Sequence, residues 1–294
     1  MDFSAYLSLR AQQIDEALRE HLPPAETPPS TLHQAMLYSL MAGGKRLRPI
    51  LCLASAEAVG GAIEAALPLA CAVECIHTYS LVHDDLPCMD NDDFRRGKPT
   101  NHKVFGEGIA VLAGDALLTE AFAIVAKHPG TSRYSTAYMI ADLALAAGSK
   151  HLIGGQVADL EAEGQDVSPE QLDFIHNNKT SALLACAIRL GAMSANAEPA
   201  DLETLTRFGQ ALGLAFQVID DILDLTQTTE VLGKSAGKDI HASKATYPAV
   251  HGLQQAQNFA LDLTQQARQA LNALDPDKSE ALHHLADHLL KRNF

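Results

Sequence analysis

Two clusters of aspartate stand inside stretches that are otherwise apolar and helical in pattern, and few folds tolerate that. One is Asp220, Asp221 and Asp224 in "FQVIDDILDL". An α-helix turns about 100° per residue, so Asp220 and Asp224 share a face, with Asp221 beside them and Gln217 a turn earlier on the same side. The other is Asp84, Asp85 and Asp90 in "HDDLPCMDNDDFRRG", followed by Asp92 and Asp93. It does not fit one ideal helix, because Asp90 lies about 240° round the axis from Asp84. Pro87 lacks a backbone donor and clashes with the carbonyl of His83. The helix carrying "CIHTYSLVHDD" is therefore expected to kink or stop there, and a local bulge can return Asp90 to the side of Asp84. His77, Leu81 and Asp84 share one face.

The frame around these clusters is helical. Apolar residues recur at three and four spacing in "LPLACAVECIHTYSLVHDD", "GIAVLAGDALLTEAFAIVAKH", "TSALLACAIRLGAMSA" and "LETLTRFGQALGLAFQVIDDILDL". Turn signals fall between them, among them "LPPAETPPS", "AGGKRLRP", "AEGQDVSPE" and "LGKSAGKD", and none is long enough to divide the chain. The expectation is one large all-α domain over residues 1–294. With 47% apolar and 20% charged residues, the chain has the balance of a soluble protein with a large core. The apolar runs are interrupted short of a membrane span, so no stable membrane anchor is expected. Five cysteines without a Cys-x-x-Cys pair suggest free thiols in a reducing compartment. The start shows no basic region followed by an apolar core, so a cytoplasmic location is expected.

Burying carboxylates unpaired is costly. A single acidic run is most simply a solvated loop, but two clusters on apolar helices need cations between them. Hard oxygen ligands suit Mg²⁺, which usually bridges protein carboxylates to substrate phosphates. A calcium loop starting at Asp90 fails, because it would need an oxygen ligand at Phe94 and a glycine at Arg95. The net charge of −14 argues against a nucleic-acid partner. The basic residues nevertheless gather in a few segments, several glycine-rich: Lys45, Arg46 and Arg48; Arg95, Arg96 and Lys98; Lys179; Lys234, Lys238 and Lys244. Paired guanidiniums suit bidentate contacts to phosphate oxygens. Two carboxylate walls and more cations than one phosphate needs suggest two diphosphate groups.

The chain carries "GGKRLRP" (43–49), "ECIHTYSLVHDDLPCMDNDDFRRGKPT" (74–100), "AGDALL" (113–118), "GGQVADL" (154–160), "HNNKTSALL" (176–184), "GLAFQVIDDILD" (213–224) and "LGKSAGKDIHASKATYP" (232–248). With these in order it resembles the short-chain trans-polyprenyl diphosphate synthase family, and within it the bacterial farnesyl diphosphate synthases. The resemblance implies an all-α helical bundle of isoprenoid synthase type with a deep central cavity, usually as a homodimer. It implies about three Mg²⁺ ions, held by Asp84, Asp85 and Asp90 on one wall and Asp220 on the other. Asp85 is alternatively a group behind the metals, and Asp221 and Asp224 count among the catalytic residues. Lys45, Arg48, His77 and Arg96 would grip isopentenyl diphosphate. Arg95, Lys179, Lys234 and Lys244 would contact the allylic substrate, dimethylallyl or geranyl diphosphate. Lys238 falls where the family varies and gets no role.

The implied chemistry starts with ionisation of the allylic carbon. The isopentenyl double bond would attack the cation, and a proton would be lost to the released diphosphate. Thr180 and Gln217 would lie near the reacting carbons and stabilise positive charge by their dipoles. Closure over the site would keep water out, with "LGKSAGKD" a candidate lid. Tyr79, roughly 7.5 Å back along the helix from Asp84, would floor the pocket, with the small Ser80 beside it. That combination implies a fifteen-carbon product, with ten and twenty carbons as alternatives. A terpene cyclase would not need the isopentenyl site and favours aromatic linings, whereas this chain has 5% aromatics and no tryptophan. A non-catalytic synthase subunit could lose its aspartates, and all six are present.

Overall fold

The apolar periodicity becomes a succession of helices in a computed structural model that describes residues 1–226 and 246–290. Before the first aspartate motif come α1 (Phe3–His21), α2 (Ser30–Leu40), α3 (Leu47–Ala58) and α4 (Ile63–Asp84). A two-strand antiparallel hairpin follows, β1 (Phe94–Arg95) with β2 (Lys98–Pro99). Next are α5 (Asn101–Phe105), α6 (Glu107–Ala126), α7 (Thr136–Ala147), α8 (Leu152–Ala162) and α9 (Pro169–Ile175). A π-helical segment (His176–Ser181) leads directly into α10 (Ala182–Ser194), and α11 (Pro199–Thr226) carries the second motif. After residue 245 come α12 (Tyr247–His251), α13 (Leu253–Leu271) and α14 (Pro276–Leu290). The all-α expectation holds. Lys234, Lys238, Lys244 and all of "LGKSAGKD", the candidate lid, lie outside the described residues.

Local chemistry accounts for several helix starts. Asp2 and Ser135 accept hydrogen bonds from Ala5 N and Tyr138 N at the starts of α1 and α7. Ser168 and Gln171 form a reciprocal capping box at α9, with Pro169 in the first turn. "GGKRLRP" is a turn only as far as Arg46. Leu47, Arg48 and Pro49 already belong to α3, because proline's missing N–H has no helical partner in a first turn.

The main core is built from α1, α3, α4, α6, α10 and the first half of α11, with Ile14, Leu51, Leu69, Ile76, Leu190 and Phe208 almost fully buried. At the crossing of α3 and α10, a Cβ on Gly191 would sit 1.9 Å from the Cys52 carbonyl oxygen, so only glycine permits that approach. A second cluster joins the end of α11 to α12 and α13 through Val218, Ile222, Tyr247 and Ala260. The expectation that every apolar run stops short of a membrane span needs correcting. α4 and α6 are both long and apolar enough by composition. α4 is nonetheless largely buried among the other helices and ends on the first aspartate motif. α6 leaves Val111 and Leu112 exposed.

Candidate active site

Helix α4 stops at Asp84, and the chain then wraps back on itself. The Asp90 N–H donates to the Asp84 carbonyl (2.9 Å) and the Asp92 N–H to the Asp85 carbonyl (3.2 Å). Asn91 takes a left-handed conformation in this turn. The backbone thus returns Asp90 to Asp84, although six residues separate them. The Asp84 carboxylate accepts from Gln156 Nε2 of α8 at 2.6 Å. Asp85 makes a different contact. It is buried and bonded to Arg95, whose Nε lies 2.7 Å and Nη2 2.5 Å from Oδ1. Burial pushes the Asp85 carboxyl up from its ordinary value, against the opposing pull of Arg95. Of the two readings of Asp85, this geometry favours the group behind the metals, and it ties Arg95 to the motif rather than leaving it for a diphosphate. A small cleft of about 30 Å³ between α2, α4 and the hairpin touches Asp85, Arg95, Arg96 and Thr78, so it borders the first motif and not the second.

A basic group gathers where the Gly43–Arg46 turn meets α4. Arg48 Nη1 lies 3.4 Å from His77 Nε2, and Arg96 Nη1 donates to the Gly43 carbonyl. A Cβ on Gly44 would stand 2.6 Å from the Arg96 guanidinium carbon, so glycine at 44 makes room for that side chain. Burial pulls Arg48 below its usual range, while Glu74 and Asp220 pull the other way. Burial first, then Arg48, Arg96, Arg95 and Arg46, hold His77 well below the ordinary histidine value, so its ring is neutral near pH 7. Arg46 is different. It is 3% exposed, left-handed, and committed to Glu74 Oε1 (2.7 Å), Asp15 Oδ1 (2.7 Å) and the Leu40 carbonyl (2.6 Å). It fixes the turn to α4 one helical turn before His77.

The second motif meets the π-helical segment. Such segments are rare and recur at functional sites. This one is held between two glycines: a Cβ on Gly155 of α8 would lie 2.3 Å from Lys179 N, and one on Gly213 of α11 would lie 2.5 Å from Ser181 Oγ. Lys179 Nζ bonds Asp159 Oδ2 at 2.6 Å, and the Thr180 hydroxyl donates to Gln217 Oε1 at 2.9 Å. Gln217 Nε2 in turn donates to Asp221 Oδ1. Asp221 and Asp224 are buried, each 4% exposed. Sequence reasoning quoted "GGQVADL" without giving its residues roles. The structure brings Gln156 to Asp84 and Asp159 to Lys179, and their i, i+3 spacing on one helix face was the available signal. Arg46, grouped by sequence with the phosphate-binding cations, is instead tied to Glu74, Asp15 and the Leu40 carbonyl, and His176 had no spacing signal.

Residues 29–286 match the polyprenyl synthetase family. The chain belongs to that family. It is 50% identical over 294 residues to geranylgeranyl pyrophosphate synthase 7 of Arabidopsis thaliana chloroplasts, covering 99% of this chain and 84% of that one. A farnesyl/geranylfarnesyl diphosphate synthase crystal structure from Zymomonas mobilis superposes with a TM-score of 0.87 at 36% identity, covering 98% and 99% of the two chains. A geranyltransferase of Helicobacter pylori, complexed with magnesium and isoprenyl diphosphate, superposes with a TM-score of 0.86 at 33% identity, covering 99% and 98%. This member of the polyprenyl synthetase family is thus a short-chain prenyltransferase with an isoprenoid synthase fold.

The donor set of this polyprenyl synthetase family member suits a hard divalent ion. Asp84, Asp90 and Asp220 offer carboxylate oxygens. Among the described residues no three His, Cys, Asp or Glu side chains form a ready cage.

Proposed function

We propose that this chain condenses isopentenyl diphosphate with dimethylallyl and then geranyl diphosphate, giving (2E,6E)-farnesyl diphosphate. One observation carries the two-substrate reading. Arg48 and Arg96 gather with a half-buried, neutral His77 where the Gly43–Arg46 turn meets α4, Arg48 Nη1 lying 3.4 Å from His77 Nε2 and Arg96 held on the Gly43 carbonyl. A cyclase has no use for that second anion site. In this reading Lys45, Arg48, His77 and Arg96 hold the isopentenyl diphosphate. Asp84, Asp90 and Asp220 hold about three Mg²⁺ ions, with Asp85 fixing Arg95 behind them. Bound magnesium supplies charge stabilisation for the leaving diphosphate. Lys179 reaches the allylic diphosphate from the π-helical segment. Thr180 and Gln217 present dipoles to the carbocation. Lys234 and Lys244 complete the allylic contacts.

Tyr79 supports the fifteen-carbon limit. Its ring is 5% exposed and packs edge-on against His83, with centroids 5.8 Å apart. Its hydroxyl is buried and has no hydrogen-bond partner among the described residues. Burying an unpaired hydroxyl costs about 1–3 kcal/mol, which plain core packing would not favour over phenylalanine. Ser80 bonds the His77 carbonyl and adds no bulk. A twenty-carbon product is the second reading, supported by the identity to a geranylgeranyl synthase. We also propose a single domain over 1–294, a cytoplasmic location in keeping with five free cysteines, and a homodimer covering the exposed Val111 and Leu112 of α6.

The test is a product assay with Mg²⁺, isopentenyl diphosphate and either starter, sizing the dephosphorylated alcohols. Farnesol from wild type and longer alcohols from Tyr79→Ala are expected. Geranylgeraniol from wild type would move the reading to twenty carbons and remove Tyr79 as the floor. Cyclic hydrocarbon, or no product from folded protein, would refute the proposal.

A further inference from the structure

Three donors converge on one buried carboxylate of the second motif. Asp221 Oδ1 accepts from Gln217 Nε2 (2.9 Å). Its Oδ2 accepts from His176 Nε2 (2.8 Å) and from the backbone N–H of Tyr247 (2.9 Å). The carboxylate therefore ties the π-helical segment, α11 and the start of α12 to one point. His176 is 4% exposed and Asp221 the same, so these bonds form away from bulk water.

The convergence has a polarity. A carboxylate offers only lone pairs, so the end of the Gln217 amide that meets Asp221 must be its NH₂. The opposite end, Oε1, then faces Thr180 and accepts the hydroxyl proton at 2.9 Å. With its hydrogen committed to Gln217, Thr180 Oγ1 has only lone pairs left for any other neighbour. We propose that Asp221 is a positioning residue that sets the direction of this relay, so that oxygen lone pairs rather than an O–H or N–H dipole face the allylic cation. The inference rests on the placement of Thr180 and Gln217 near the reacting carbons.

Asp221→Asn tests it at nearly constant shape. Asparagine has one side-chain oxygen for three donors. That oxygen satisfies two of them at the Oδ2 position, His176 and Tyr247, which leaves its NH₂ facing Gln217. The glutamine amide must then turn over, present NH₂ to Thr180 and force the hydroxyl hydrogen outward. The expected result is a kcat lowered on the order of 100-fold, the scale of a misplaced transition-state dipole. The KM of both diphosphates, the Mg²⁺ dependence and the far-ultraviolet circular dichroism should stay unchanged. Adding Gln217→Glu to Asp221→Asn restores an acceptor for Thr180 and returns the lost charge, so the double variant should regain about tenfold over the single one. Wild-type kcat in Asp221→Asn would overturn the proposal. So would a defect repaired by extra Mg²⁺, or one that Gln217→Glu fails to relieve. No elongation by the wild-type protein would bring down the underlying function as well, and that outcome is visible before any variant is made.

Discussion

Gly155→Ala should damage catalysis without touching a reacting group. The added Cβ would lie 2.3 Å from Lys179 N, 2.7 Å from Lys179 Cα and 2.8 Å from Asn178 C. All three are backbone atoms, so no side chain can rotate aside. Ordinary carbon contacts settle at about 3.5 Å, so α8 and the π-helical segment must part by about 1 Å. Both sides carry site residues: Gln156 and Asp159 on α8, Lys179 and Thr180 on the segment. Overpacking of this kind costs about 1–3 kcal/mol, and each kcal/mol lowers Tm by a few degrees in a chain of this size. A displacement of about 1 Å at a reacting centre costs about 100-fold in rate. The measurement is kcat at saturating substrates beside Tm. Gly108→Ala serves as the control, since a Cβ there meets nothing within 4 Å and φ is ordinary. It should leave both quantities near wild type. If Gly155→Ala behaves like Gly108→Ala, the clamp does not position the segment and the reasoning is wrong.

Asp84→Ala and Asp220→Ala should each lower turnover by orders of magnitude while circular dichroism keeps the helices; near wild-type activity in either would sink the metal assignment. Glu74→Ala leaves Arg46 buried with only Asp15 and the Leu40 carbonyl, so a stability loss of about 1.5–3 kcal/mol is expected, seen as a lower denaturation midpoint; an unchanged midpoint would contradict it. His77→Ala should raise the KM for isopentenyl diphosphate more than that for the allylic substrate, and a purely allylic effect would refute its placement. His77 also has a pH consequence. Its folded pKa lies well below the ordinary value of 6.5, so as pH falls through 6.5 the unfolded chain takes up a proton that the fold refuses. Stability is lost from there down to the folded pKa. His77→Gln should shrink the acid-side loss in a denaturation series, and an identical acid limb would count against the neutral ring.

The helices were legible because each buried stretch repeats its apolar residues at the period of the α-helix, and because chain breaks coincide with proline and glycine. α4, α6, α10 and α11 fall where that periodicity runs. The return of Asp90 to Asp84 was also foreseeable, since Pro87 forbids continued helix and the acidic residues require a common destination. Other parts of the site have no local signature. A π-helical segment differs from an α-helix by one extra residue in a turn, and "HNNKTS" carries no pattern for that. It is enforced by backbone approach at Gly155 and Gly213, on elements distant in sequence. Nor does a row of aspartates say which carboxylate serves a metal and which serves its own fold. Asp84 and Asp85 are neighbours, yet one meets Gln156 at the front and the other locks Arg95 behind. Asp220 and Asp221 divide in the same way, with Asp221 consumed by His176, Gln217 and Tyr247. In both motifs a side chain one residue along a helix turns about 100° from its neighbour, so in the proposed reading a doubled aspartate offers one group to the ions while the other holds the wall.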